Sequence, residues 1–95
     1  MVTMYVVTEG IDRTPKYGVE FNLIEGFLTP EAAKKRLKGF AVYHPVVWDE
    51  DGLGLTYRHI AEIKPNYPGA ETDVINETRK VRIEEVEVDI PNDLT

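Results

Sequence analysis

The stretch Phe27-Leu-Thr-Pro-Glu-Ala-Ala-Lys-Lys-Arg-Leu-Lys-Gly39 spells out one short helix with both of its ends. Thr29 is a good N-cap, and Pro30 suits the first helical position, where a missing N–H costs nothing. Glu31 places a negative charge at the positive end of the helix, while Lys34, Lys35, Arg36 and Lys38 crowd toward the negative end. Gly39 can take the left-handed conformation that closes a helix. Ala33, Leu37 and Phe40 share one face, and Leu28, ahead of the cap, is placed to staple onto Ala33.

Outward from this helix the chain reads as strands. Met4–Val7 is a short apolar run, and Glu9–Gly18 is a turn-rich connection with Arg13 and Lys16 on it. Val19-Glu-Phe-Asn-Leu alternates and puts Val19, Phe21 and Leu23 on one face. Ala41–Trp48 is apolar but broken by Pro45, which predicts an edge strand, a bulge or two short pieces. Asp49-Glu-Asp-Gly52 is a turn. Leu55 to Lys64 alternates again, with Leu55, Tyr57, His59, Ala61 and Ile63 on one side and Thr56, Arg58, Glu62 and Lys64 on the other. Residues 65–78 carry Pro65, Asn66, Pro68 and Gly69 without a sustained period and read as one long loop. In the last strand the apolar phase flips between Val81/Ile83 and Val86/Val88/Ile90, which predicts a β-bulge at Glu84-Glu85. Residues 91–95 read as a tail.

The expected fold is α+β: one domain over residues 1–95, with an antiparallel sheet of four or five strands packed on helix 30–38 in a ββαβββ-like order. A chain of 95 residues buries roughly 60–65% of its unfolded surface, and 42% hydrophobic content supplies one core. Apolar runs of about four residues are far too short for a transmembrane helix, and the first residues lack the basic and long apolar parts of a signal peptide. The chain has no cysteine, so disulfide and thiolate chemistry are out and a cytoplasmic setting is expected.

Candidate chemistry is sparse. There is no serine or cysteine nucleophile and no glycine-rich phosphate loop, so no enzyme activity is expected. Tyr57, His59 and Glu62 would support acid–base work only if the fold converged them in a pocket. His44 and His59 lie at no recognised ligand spacing, and His59 reads as a hydrogen-bonded, half-buried histidine. Asp49–Gly52 lacks the remaining ligands of a calcium loop. No metal or cofactor is expected.

Charge and aromatics are more telling. Net charge is −6, but residues 31–38 are locally basic, and residues 84–95 hold Glu84, Glu85, Glu87, Asp89 and Asp93 with no cation. Such segregation marks a binding surface, or helix and last strand neutralise one another within the fold. Tyr17, Tyr43, Trp48 and Tyr67 lie near loops and strand ends, where Tyr and Trp anchor interfaces or simply keep polar tips in water. The candidate binding residues are therefore Lys34, Lys35, Arg36, Lys38, Arg13, Lys16, Trp48, Tyr67, Glu85 and Glu87.

The opening strand Met4-Tyr-Val-Val, the junction Gly26-Phe-Leu-Thr-Pro-Glu-Ala-Ala-Lys-Lys-Arg-Leu37 and the closing Arg82-Ile-Glu-Glu-Val-Glu-Val-Asp-Ile90 cover roughly a quarter of the chain. They resemble a loose class of small bacteriophage and bacterial α+β proteins, with an "F-S/T-x-E-E-A" helix start and an acidic final strand. The resemblance implies a phage-like or bacterial origin and a protein-binding role, and it carries no catalytic residues. The expected function is thus a non-enzymatic interaction protein, a phage-encoded modulator that inhibits a host protein in the host cytoplasm. Two further readings are a module that sequesters a nucleotide or similar anion through Arg13, Lys16 or residues 34–38, and a homodimer through a strand edge. Nucleic acid is a weaker candidate partner, because nucleic-acid binders are usually basic, and a membrane is not expected.

Overall fold

A computed structural model describes residues 1–89. It is α+β, with a single helix packed on one face of a five-stranded antiparallel sheet. The elements are β1 (Val2–Asp12), β2 (Val19–Phe27), α1 (Pro30–Tyr43), β3 (Val47–Trp48), β4 (Gly54–Ile63) and β5 (Asp73–Val88). The strand order is β2-β1-β5-β4-β3. The first and last long strands therefore lie side by side in the middle of the sheet. β2 forms one edge, and the two-residue β3 forms the other.

The helix starts as its sequence dictates. Thr29 is extended, and its hydroxyl accepts from the Ala32 N–H at 3.2 Å. It does not stop at Gly39. Phe40 shares the face of Ala33 and Leu37 and packs against the core beneath the Arg36 guanidinium, 4.9 Å from its ring centroid. That burial outweighs the about 1 kcal/mol that an internal glycine costs. The helix ends at His44, which is extended (φ −136, ψ 143) because the following Pro45 disfavours helical backbone there. Residues 41–43, expected in a strand, are thus the last helical turn. Lys34 to Lys38 consequently sit mid-helix, and the last turn carries no base.

Beneath α1 the core consists of Val7, Leu55, Tyr57, Val81 and Ile83, closed from above by Ala33 and Leu37. Tyr5, Ile24, Phe27, Phe40 and Val46 complete its margin. Leu28 is exposed and makes no staple.

Two other expectations are corrected. β4 and β5 pair continuously from Ile63↔Asp73 to Gly54↔Arg82, so the expected loop 65–78 shrinks to residues 64–72 and its second half is strand. No bulge interrupts β5, because β1 and β5 pair residue for residue from Val2↔Val88 to Asp12↔Thr78. The irregularity falls instead in the β1–β2 pairing, between Val7/Thr8, where Ile24 is the extra residue. Val19, Phe21 and Leu23 share one face as expected, and that face is turned away from α1. The expected tail 91–95 and Ile90 lie outside the described residues.

The helix spans about 21 Å, whereas the 16 residues of β5 run about 53 Å. The molecule measures 54 × 34 × 20 Å with a radius of gyration of 16.9 Å, against about 12 Å for a compact domain of this size. One helix therefore covers part of one face of the sheet. Both the rest of that face and the whole opposite face must be stabilised in other ways, or be used.

Candidate functional site

The opposite face carries an uncovered apolar surface. Strand alternation sends Val2, Met4, Val6 and Thr8 of β1, and Arg82, Glu84, Val86 and Val88 of β5, to this side. The phase flip in β5 is therefore a change of which face is apolar: Val81 and Ile83 point under the helix, and Val86 and Val88 point away from it. On the neighbouring edge strand, Leu23 lies opposite Thr8 and Phe21 opposite Gly10. A Cβ on Gly10 would sit 3.2 Å from the Phe21 ring, so the glycine lets that ring lie flat on β1. Phe21 is 82% exposed, Leu23 70%, Val19 53% and Val86 41%. The result is a diagonal apolar stripe across three strands. Lys80 and Glu84 border it.

The helix-side face beyond the helix end is polar and tightly paired. Glu77 is 1% exposed on β5, directly opposite His59 of β4. Its carboxylate accepts from Arg13 Nε at 2.7 Å and from Arg79 Nε at 2.7 Å, and its Oε1 lies 2.9 Å from His59 Nδ1. Burial pushes the Glu77 carboxyl up, but the hydrogen bonds from Arg13, Arg79 and His59 together outweigh it and hold the group below its ordinary value of 4.5. Arg13 also reaches Glu20 at 3.4 Å, and Arg79 reaches Glu9 at 3.8 Å. The His44 ring stacks on Tyr57 at 4.2 Å and meets His59 edge-on at 6.1 Å. Every buried polar side-chain atom among the described residues is satisfied. This cluster holds three strands and a turn in register.

At the far end, Lys16 Nζ lies 2.6 Å from Asp73 Oδ2, and the Tyr17 hydroxyl donates to the same oxygen at 2.8 Å. These two bonds, Lys16 first, hold Asp73 below the ordinary carboxylate value. Tyr67 and Pro65 of the 64–72 loop complete an open cleft of about 610 Å³ there.

The candidate binding residues are thus dispersed. Arg13 and Lys16 are engaged by carboxylates, and Arg36 lies 3.6 Å from Glu25. Lys34, Lys35 and Lys38 are exposed on the helix. Lys34 and Glu85 line one cleft of about 460 Å³ without an ion pair between them. Glu87 accepts from the Thr3 hydroxyl at 2.8 Å. Trp48 sits on β3 opposite Leu55, at the other sheet edge from Phe21. Tyr57 and His59 share the helix-side face, but Glu62 points to the opposite one, so those three do not converge. Among the described residues no three His, Cys, Asp or Glu side chains are grouped to hold a metal ion, and no helix is long and apolar enough to cross a membrane.

Sequence reasoning missed Glu77 because residues 65–78 lacked an apolar period, and Arg79 because it adjoins that stretch. The available signal was that both lie an even number of residues before Val81 and so share its face. It missed the apolar stripe by assuming that both halves of β5 face one core. Compared with protein-family models, curated proteins and solved structures, the chain matches none of them. The functional reading therefore rests on geometry.

Proposed function

We propose that this chain is a non-enzymatic interaction protein that docks a protein partner on the sheet face opposite α1, and that it acts as a phage-encoded modulator of a host protein. The observation that carries the reading is the stripe of exposed Val86, Val88, Leu23 and Phe21, joined by half-buried Val2, Met4 and Val6, which no element of the described chain covers. Contiguous exposed apolar surface of this kind is uncommon on a monomer and marks interaction sites. The partner it fits offers an apolar patch with an acid placed for Lys80 and a base for Glu84, the two charged residues that border the stripe. Anion sequestration has less support, since Arg13 and Lys16 already serve Glu77 and Asp73.

The test is a tagged pull-down from nuclease-treated bacterial lysate with three baits. Val86→Lys with Val88→Lys abolishes capture of a stoichiometric host protein, whereas Lys34→Glu with Lys35→Glu leaves it intact. Loss only with the helix variants would move the site to the basic cluster. A bait that captures nothing would overturn the reading.

A further inference from the structure

We propose that two copies of this chain pair antiparallel along the free edge of β2, with Phe21 facing Phe21 of the second copy across a two-fold axis. β2 has nine residues, so its outer side presents unpaired N–H and C=O groups over most of its length, while the opposite edge, β3, has two residues. Edge strands are usually guarded by lysine, proline, brevity, charges or bulges; Val19–Phe27 has no lysine or proline, and its guards are Glu20, Glu25 and the bulge at Ile24. Its one irregularity, at Ile24, leaves the regular half Val19–Leu23 free to pair.

The side chains select one register. A two-fold axis perpendicular to the sheet keeps every side chain on its own face, so partners must be an even number of residues apart. Centring on Glu20 sets that carboxylate against its own copy, which is unfavourable. Centring on Asn22 runs Glu20 into the bulged Ile24. Centring on Phe21 pairs Val19 with Leu23 twice and Phe21 with Phe21 on the outer face. On the inner face it pairs Glu20 with Asn22 twice. Asn22 Nδ2 already donates to Glu20 Oε2 of its own strand at 3.3 Å, so an amide donor beside this carboxylate is native chemistry here. Val-Glu-Phe-Asn-Leu is therefore self-complementary in polarity, with each carboxylate facing an amide donor rather than its own copy. The pairing covers the most exposed apolar side chains of the strand and joins two sheets into one of ten strands. It requires no other protein, and because it uses Leu23 and Phe21 of the docking stripe, a partner of the dimer would meet the stripe at Val86 and Val88.

Sedimentation velocity of the purified chain from 5 µM to 1 mM tests it, about the range expected of a short strand-edge contact. A monomer–dimer equilibrium is expected. Asn22→Glu, which puts like charges opposite each other twice, weakens the dimer by about tenfold, and Asn22→Lys tightens it by a similar factor through two Glu20–Lys contacts. A monomer throughout the range overturns the proposal. So does a dimer that both Asn22 variants leave unchanged, since it would use another surface. Circular dichroism melts of the variants confirm that the exposed Asn22 substitutions preserve the fold.

Discussion

Glu77 and His59 face each other across the β4–β5 pair, with Oε1 2.9 Å from Nδ1, at a point where the sheet has run out from under its helix. An apolar pair there would be left open to water on the helix side. A carboxylate compensated by Arg13, Arg79 and His59 lets the same face stay half-wetted and still lock β1, β5 and β4 together. The helix thus stabilises one half of the inner face by burial, and the ion network stabilises the other.

Glu77→Gln removes the charge that three cationic or donor groups share. Because Arg13 and Arg79 are about a quarter exposed, the loss is below that of a fully buried pair, about 2–3 kcal/mol. Urea unfolding checks this as a lower midpoint with an unchanged slope.

The same carboxylate makes stability depend on acid. Its folded pKa lies below the ordinary 4.5, so its contribution is complete above that value and is lost as pH falls through the folded pKa. Asp73, held low by Lys16 and Tyr17, acts in the same direction below 3.8. Melting temperature measured from about pH 7 down to pH 2 should therefore be level above about pH 5 and fall below it. Glu77→Gln should flatten the upper part of that fall.

Leu37→Ala opens a cavity beneath α1, where Leu37 is 1% exposed among Val7, Leu55 and Val81. The expected cost is about 3 kcal/mol. Thermal denaturation checks it, and Thr29→Ala, which removes only the cap bond to Ala32, should cost about 1 kcal/mol by the same measurement.

Val86→Lys has the opposite profile. Val86 is 41% exposed on the face without a helix, so substitution should change unfolding free energy by no more than about 0.5 kcal/mol while abolishing partner capture. A large loss of stability would mean that the outer face is internally packed and unavailable for docking.

Much of the fold was legible in the chain because its signals are local. Thr29-Pro30-Glu31 starts a helix through hydrogen bonds and dihedral preferences within four residues. The odd–even alternation of Leu55–Ile63 needs only the geometry of one strand. The helix's true end was legible too, in Pro45 rather than Gly39, though only packing of Phe40 decided between them. The strand character of residues 73–78 was not legible. Glu77 looks like a loop residue until the fold brings Arg13, Arg79 and His59 to its carboxylate.

Alternation tells which side chains share a face but never which face the helix will cover. In Val19-Glu-Phe-Asn-Leu and in Val81 to Val88 the sequence by itself determined the two sets of side chains. Tertiary structure alone decided that Ile83 goes under α1 while Val86, Phe21 and Leu23 are left facing out. The physical reason is length: a helix of about 21 Å cannot cover a sheet of about 53 Å, so the covered part becomes core and the uncovered parts carry the ion network and the exposed apolar side chains.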